Sequence, residues 1–155
     1  MNFKGKMVLF FSTVGYVGKI PFAPGTFGSV IGLVICLVLS RVSLSISVLF
    51  IIALILAAVW LSERAEQIIG KKDPGCIVID EVAGMVVTMA GLPFNTLTAI
   101  AGFVLFRVLD IMKPPPVRTI QDSLSGGAGV VMDDVAAGII GNLLLRCLFL
   151  VLGIF

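Results

Sequence analysis

A chain of 155 residues that is 59% hydrophobic and 13% charged, with a net charge of +2, is far more apolar than a soluble domain, which runs at roughly 45–50% apolar and about 25% charged. It reads as one integral membrane domain, residues 1–155, of all-α class: a polytopic membrane helix bundle. The complete lack of histidine excludes histidine ligands, histidine bases and phosphohistidine intermediates, and three widely spaced cysteines, Cys36, Cys76 and Cys147, exclude a thiolate metal framework.

The first stretch, "MNFKGKMVLFFSTVGYVG", imitates a signal peptide but has no convincing small-residue cleavage site, and Lys19 and two prolines follow it. It reads as a retained N-terminal segment, a helix lying in the membrane interface. Apolar stretches follow at 27–40, 43–61, 77–92, 97–112 and 130–153. A span needs about 20 apolar residues, within a range of about 17–25, so about four to five transmembrane helices are expected. The second and fifth stretches meet the requirement, the third and fourth are near its limit, and the first is short enough to be re-entrant.

With five spans and the N-terminus inside, Lys4, Lys6, Lys19, Arg64, Lys71, Lys72, Lys113 and Arg118 fall on the cytoplasmic side. Arg107 lies near that side, and the opposite loops hold only Arg41. Such asymmetry of Lys and Arg places the N-terminus in the cytoplasm. Arg146, deep in the last stretch, receives no role. The longest polar connection, "KPPPVRTIQDSLSGGAG" at 113–129, is cut off from the fourth helix by Pro114, Pro115 and Pro116.

The acids stand out against this background. Asp80 and Glu81 begin the third span, Arg107 and Asp110 end the fourth, and Asp133 and Asp134 begin the fifth. The topology brings all of them to one depth at the cytoplasmic boundary. Arg107 and Asp110 share a helix face, with Lys113 next along. Asp80 and Glu81 stand one turn before Gly84, and Asp134 one turn before Gly138, with Gly141 beyond. Small residues beside the acids let helices approach closely, so the acidic faces are read as packing faces turned toward one another. Carboxylates turned inward repel one another; Arg107 and Lys113 offset part of the charge, and a hard divalent cation such as Mg²⁺ would offset more. Asp80, Glu81, Asp133 and Asp134 are the expected ligands. The competing reading is that acids near a helix start simply sit in water, favoured by the helix dipole.

"PFAPGTFGS" (21–29) and "SLSGGAGVVMDD" (123–134) are glycine-rich helix starts that can present backbone N–H groups to an anion. Neither carries a GK[ST] sequence, so ATP is not indicated. Thr26, Gly126 and Gly127, together with Lys19, Lys113 and Arg118, are the expected substrate-binding residues. The chemistry that fits is hydrolysis or transfer at phosphorus on a lipid of the inner leaflet. Arg107 is suited to clamp a phosphoryl group, and Asp80, Glu81, Asp110, Asp133 or Asp134 to act as base or nucleophile. An alternative of another class is a cation or proton transporter using intramembrane acids.

The stretches "PFAPGTFGS", "DPGCIVIDEVAGM", "FRVLDIMKPPPVR" and "GGAGVVMDDVAAG", spanning residues 21–138 in order, resemble the phosphatidylglycerophosphatase A family. The resemblance implies a bacterial inner-membrane, multi-pass, Mg²⁺-dependent phosphatase facing the cytoplasm, which converts phosphatidylglycerophosphate to phosphatidylglycerol and phosphate. It also implies that Asp80, Glu81, Arg107, Asp110, Asp133 and Asp134 occupy the family's motif positions. The expected partners are the anionic phospholipid substrate and membrane lipids, with no nucleic acid; a homo-oligomer is left open.

Overall fold

A computed structural model describes residues 2–153, which form seven α-helices and one short 3₁₀ turn, with no strand among the described residues. In order these are α1 (Phe3–Ser12), the 3₁₀ turn (Val17–Lys19), α2 (Pro24–Leu39), α3 (Leu44–Ile69), α4 (Ile79–Thr88), α5 (Thr96–Met112), α6 (Val117–Ser123) and α7 (Gly126–Val151).

Local chemistry explains most of the boundaries. Asn2 caps α1, its Oδ1 accepting from the Gly5 N–H at 2.9 Å. Proline opens α2 at its first position, where a missing N–H costs nothing. Ser43 caps α3, and Gly70 ends it with a φ of +72°, a conformation glycine adopts without strain. A capping box opens α5: Thr98 N–H donates to Asn95 Oδ1 and Asn95 N–H to Thr98 Oγ1, both at 3.0 Å. The three prolines after Lys113 separate α5 from the short α6.

α3 and α7, 26 residues each, are long and apolar enough to cross a membrane. The outward residues of the bundle are apolar on several helices: Val34 and Val38 on α2, Leu49, Leu56 and Trp60 on α3, Ile100 and Val104 on α5, Leu143 and Leu150 on α7 are all exposed. Polar groups such as Ser29, Ser62, Asp80, Thr88, Asp133 and Asp134 are buried instead. Lipid suits that inversion, since a soluble chain rarely shows so continuous an apolar surface.

The third apolar stretch departs from expectation. Instead of a near-spanning helix over 77–92, the chain forms α4, ten residues with nine of them buried. At 1.5 Å per residue α4 is about 15 Å long, roughly half of a 30 Å hydrocarbon core. It is the axis of the bundle, packed against α2, α3, α5 and α7. α2 and α5, of 16 and 17 residues, stand near the spanning limit, so by length α3 and α7 alone among the described helices cross with ease.

A helix that stops inside an apolar bundle leaves its last carbonyls without partners. α7 supplies them. Asn142 Nδ2 donates to Thr88 O at 2.8 Å and Ala90 O at 2.9 Å. Arg146 Nη2 donates to Ala90 O at 2.9 Å, and its Nε to Asn142 Oδ1 at 2.8 Å. Arg146, to which the sequence assigns no role, therefore places a cation at the C-terminal end of α4, where the helix dipole favours one.

Replacing Asn142 with leucine should lower the thermal unfolding midpoint in detergent, because a buried acceptor left without its donor costs about 1–3 kcal/mol. An unchanged midpoint would show that the carbonyls after α4 do not depend on this side chain.

Candidate functional site

The short central helix places the first two acids. Asp80 and Glu81 lie in the first turn of α4, where the helix dipole favours negative charge. The connection leading into that turn is held from the N-terminal segment. Val78 N–H donates to Ser12 O at 3.0 Å, and Gly18 lies so close to the Cys76 carbonyl that a Cβ there would collide with it.

α7 brings the next pair. It crosses α4 at a glycine seam: a Cβ at Gly138 would meet the Gly84 carbonyl, one at Gly84 would meet the Asp134 carbonyl and the Phe106 ring, and one at Gly141 would meet the Thr88 side chain. The small residues therefore do bring the two acidic faces together, as their spacing predicts. α5 adds Arg107 and Asp110, joined through Arg107 Nη1 and Asp110 Oδ2 at 2.7 Å.

These elements enclose a cavity of about 210 Å³, lined in part by Asp73, Asp80, Glu81, Asp110, Lys113, Asp133 and Asp134. One carboxylate oxygen from each of Asp80, Glu81 and Asp134 lies within 4.8 Å of the others. Asp80 is 7% exposed and Asp134 4%. Asp80 Oδ1, Glu81 Oε2 and Asp134 Oδ2 are buried with no hydrogen-bond partner. Two buried carboxylates and a partly buried third, each with an oxygen lacking a hydrogen-bond partner, are costly to leave alone. An all-oxygen donor set at this spacing is of the kind that could hold a hard divalent cation.

Asp133 is committed differently. Its Oδ2 accepts from Lys113 Nζ at 2.6 Å, and its Oδ1 accepts from the Asp134 N–H at 3.0 Å. Partial burial works against the Lys113 charge, but the Asp133 hydrogen bond and charge outweigh it and hold the ammonium above its ordinary pKa. Lys113 therefore carries its charge into the cavity at neutral pH.

Arg107 flanks the cavity on the α2 side. Its Nη1 also reaches Ser29 Oγ at 3.5 Å, and its Nε is buried without a partner. Gly25, in the first turn of α2, leaves the space occupied by Glu81 Oε1 and Arg107 Nη1. "PFAPGTFGS" thus abuts the acids.

Of the residues expected to bind substrate, Lys113 lines the cavity. Lys19, Thr26, Arg118, Gly126 and Gly127 are not among its lining residues. Lys19 lies over the Tyr16 ring at 4.5 Å, Thr26 follows Gly25 in α2, and Arg118 is exposed on α6. Gly127 N–H is taken by Glu63 Oε2 of α3 at 2.6 Å. The anion held at the start of α7 in this structure is thus a side chain of the chain itself. Gly126, with a φ of +64°, and Gly127 allow that approach, since a Cβ at either would collide with Glu63 or with the Val59 carbonyl. Glu63, Asp73 and Ser29 are absent from the sequence-based set. Glu63 pairs with Gln67 one turn on and so reads as a surface residue, and Asp73 opens a "DPG" turn and so reads as loop chemistry.

The family model described as phosphatidylglycerophosphatase A matches residues 10–149. A phosphatidylglycerophosphatase A of Escherichia coli (strain K12) is 36% identical over 124 residues, 79% of this chain and 72% of the relative. One of Haemophilus influenzae is 36% identical over 124 residues, 79% of this chain and 76% of the relative. A protein of Bacteroides thetaiotaomicron, provisionally named phosphatidylinositol-3-phosphatase, is 34% identical over 144 residues, 88% of this chain and 89% of the relative. No solved structure matches the chain significantly.

Gly25→Ala tests the contact between α2 and the acids. The colliding atoms are the far ends of the Glu81 and Arg107 side chains, so the fold should survive while the carboxylate shifts. Phosphate release should fall by roughly a hundredfold, the scale of an ångström-sized misplacement, with little change in unfolding midpoint. Wild-type turnover would mean that Glu81 tolerates the displacement.

Proposed function

The chain belongs to the phosphatidylglycerophosphatase A family and is a phosphoric monoester hydrolase; we propose that it hydrolyses phosphatidylglycerophosphate to phosphatidylglycerol and inorganic phosphate, with Mg²⁺, at the cytoplasmic face of the bacterial inner membrane. The observation that carries the reading is the meeting of carboxylate oxygens of Asp80, Glu81 and Asp134, each residue also having a buried oxygen without a hydrogen-bond partner, at a cavity that Lys113 also lines.

In this reading Asp80, Glu81 and Asp134 hold Mg²⁺, which when bound would neutralise phosphate oxygens and make water a better nucleophile. Lys113 offsets the charge of the incoming phosphoryl group and keeps Asp133 oriented. Water attacks phosphorus and a carboxylate of the cluster accepts its proton; the bond from phosphorus to the alcohol oxygen breaks, and that proton passes to the departing alcohol oxygen, leaving the alcohol and inorganic phosphate. Arg107 fixes Asp110 through its ion pair and braces the cluster against α2. Both contacts come from Nη1, held in place by the planar guanidinium; a lysine ammonium, a point charge on a flexible stem, does not keep that position.

Charge placement supports the cytoplasmic orientation. Arg64, Lys71, Lys72, Lys113 and Arg118 lie in the same connections and helix ends as the acids, and Arg41 lies in the connection at the other end of α3. A cytoplasmic excess of Lys and Arg, and attraction of anionic headgroups to it, follow general membrane rules. The transporter alternative has less support, because the acids of α4, α5 and α7 gather at one cavity instead of forming a file through the bundle.

Purified protein should release phosphate from phosphatidylglycerophosphate in mixed micelles, with the release lost on chelation and restored by Mg²⁺. Release that persists without any divalent cation would remove the metal from the proposal. Asp134→Asn should bring release to background while the protein stays folded in detergent; a normal rate would take Asp134 out of the site. Arg107→Lys should lower the rate by roughly a hundredfold, the cost of a misplaced reacting group, and a near-normal rate would limit Arg107 to packing.

A further inference from the structure

At the end of the bundle away from the acids, α4 stops after ten residues, and beyond its last turn lies a cavity of about 310 Å³. Its wall is built from Leu39 at the end of α2, Ile51 of α3, Val86 in the last turn of α4, and Met89 and Phe94 of the connection that follows. Three polar side chains reach it, and each is already spent on main chain. Ser40 Oγ donates to Leu37 O at 2.7 Å, Ser47 Oγ to Leu39 O and Ser43 O at 3.3 Å, and Cys36 Sγ to Met85 O at 3.9 Å. No charged side chain of the described residues lines it. Val42, Leu44 and Pro93, in the same wall, are exposed, so the cavity opens on the outer surface of the bundle.

A cation stands at its edge. Arg146 Nη2 is 2.9 Å from the point that a Cβ on Gly91 would occupy, and Leu44 Cδ1 is 3.5 Å from it; Gly91 and Leu44 both line the cavity. The guanidinium donates to Asn142 Oδ1 and Ala90 O and meets no carboxylate among the described residues, which leaves donors in its fork for an anion. Arg146 follows Asp134 by twelve residues, about 18 Å along α7 and past the middle of a hydrocarbon core about 30 Å thick.

We propose that this cavity and Arg146 bind one phospholipid of the leaflet opposite the acids, an acyl chain in the cavity and the phosphate on the guanidinium. Water is a poor occupant, since it needs about two to four polar partners and the side chains here have none to spare. Hydrocarbon needs none, and the bilayer offers it at the opening. Phosphate is the anion at hand in the headgroup layer, and a long arginine side chain reaches toward that layer from within the core. The bound chain would fill the space past α4 and hold the far end of the helix whose first turn carries Asp80 and Glu81. The site rests on the apolar outer surface of the bundle and is independent of the reaction at the acids.

The test uses the full-length protein, delipidated in detergent and titrated with dioleoylphosphatidylethanolamine, a phosphodiester that offers the acid cavity no monoester. Native mass spectrometry should show one lipid bound per chain at saturation, and the unfolding midpoint should rise with lipid. Ile51→Trp, which fills the cavity, and Val42→Trp, which narrows its mouth, should each abolish the bound lipid and the rise. Arg146→Gln keeps an amide donor but removes the charge, and should weaken binding by about tenfold or more, the scale of a hydrogen bond to a charged group. No lipid on the wild type, or equal retention by both tryptophan variants, would overturn the site. Binding unchanged in Arg146→Gln would overturn the role of the phosphate. A dimer that Val42→Trp dissociates, with no lipid bound, would show that a second copy of the chain covers the opening instead.

Discussion

Mutual repulsion among buried carboxylates governs this molecule. Asp80, Glu81 and Asp134 each bring a carboxylate oxygen within 4.8 Å of the others, and each has a buried oxygen without a hydrogen-bond partner; nothing in ordinary helix packing rewards that arrangement. The neighbouring groups moderate it without cancelling it. Lys113 answers Asp133, and Arg107 answers Asp110. The three central oxygens are left over, and they define a demand for positive charge that a hard cation can meet. In the proposed reading a divalent cation relieves that repulsion. The surrounding fold has to be rigid enough to hold the three acids together against it.

Several devices provide the rigidity. α4 is enclosed on all sides, its first turn tied to the end of α1 and its last carbonyls bound by Asn142 and Arg146. α7 is fixed at its start by Glu63, about two turns above Asp133 and Asp134. Asp80 and Glu81 are thus carried on a helix anchored at both ends, and Asp133 and Asp134 on one anchored at its start. None of these anchors is local: each joins a terminus of one helix to a residue of another.

That non-locality marks the boundary of what could be read from the sequence. The all-helical membrane class follows from composition, and the meeting of the acids follows from topology with the Gly84 and Gly138 spacing. Both are properties of period and charge, which a linear reading preserves. The length of α4 was not legible, because an apolar run such as 77–92 looks the same whether it spans or stops halfway; the stop is enforced by Asn142 and Arg146 from a helix fifty residues on. Gly126 and Gly127 read as an anion site and are one, but the anion is Glu63, whose own neighbours in sequence show only a surface pattern. Asp73 was hidden by its turn.

The seam between α4 and α7 has a wider consequence. Gly84 and Gly138 bring main chain against main chain, so the separation of Asp80 and Glu81 from Asp134 is set by backbone thickness and not by the bulk of intervening side chains. Tolerance to substitution should accordingly be graded: lipid-facing positions such as Leu56 or Leu150 are free to drift among apolar residues, while the two glycines admit no heavier atom without prising the carboxylates apart. Divergent versions of this bundle can thus change nearly all of their outer surface and still keep the same inter-carboxylate spacing.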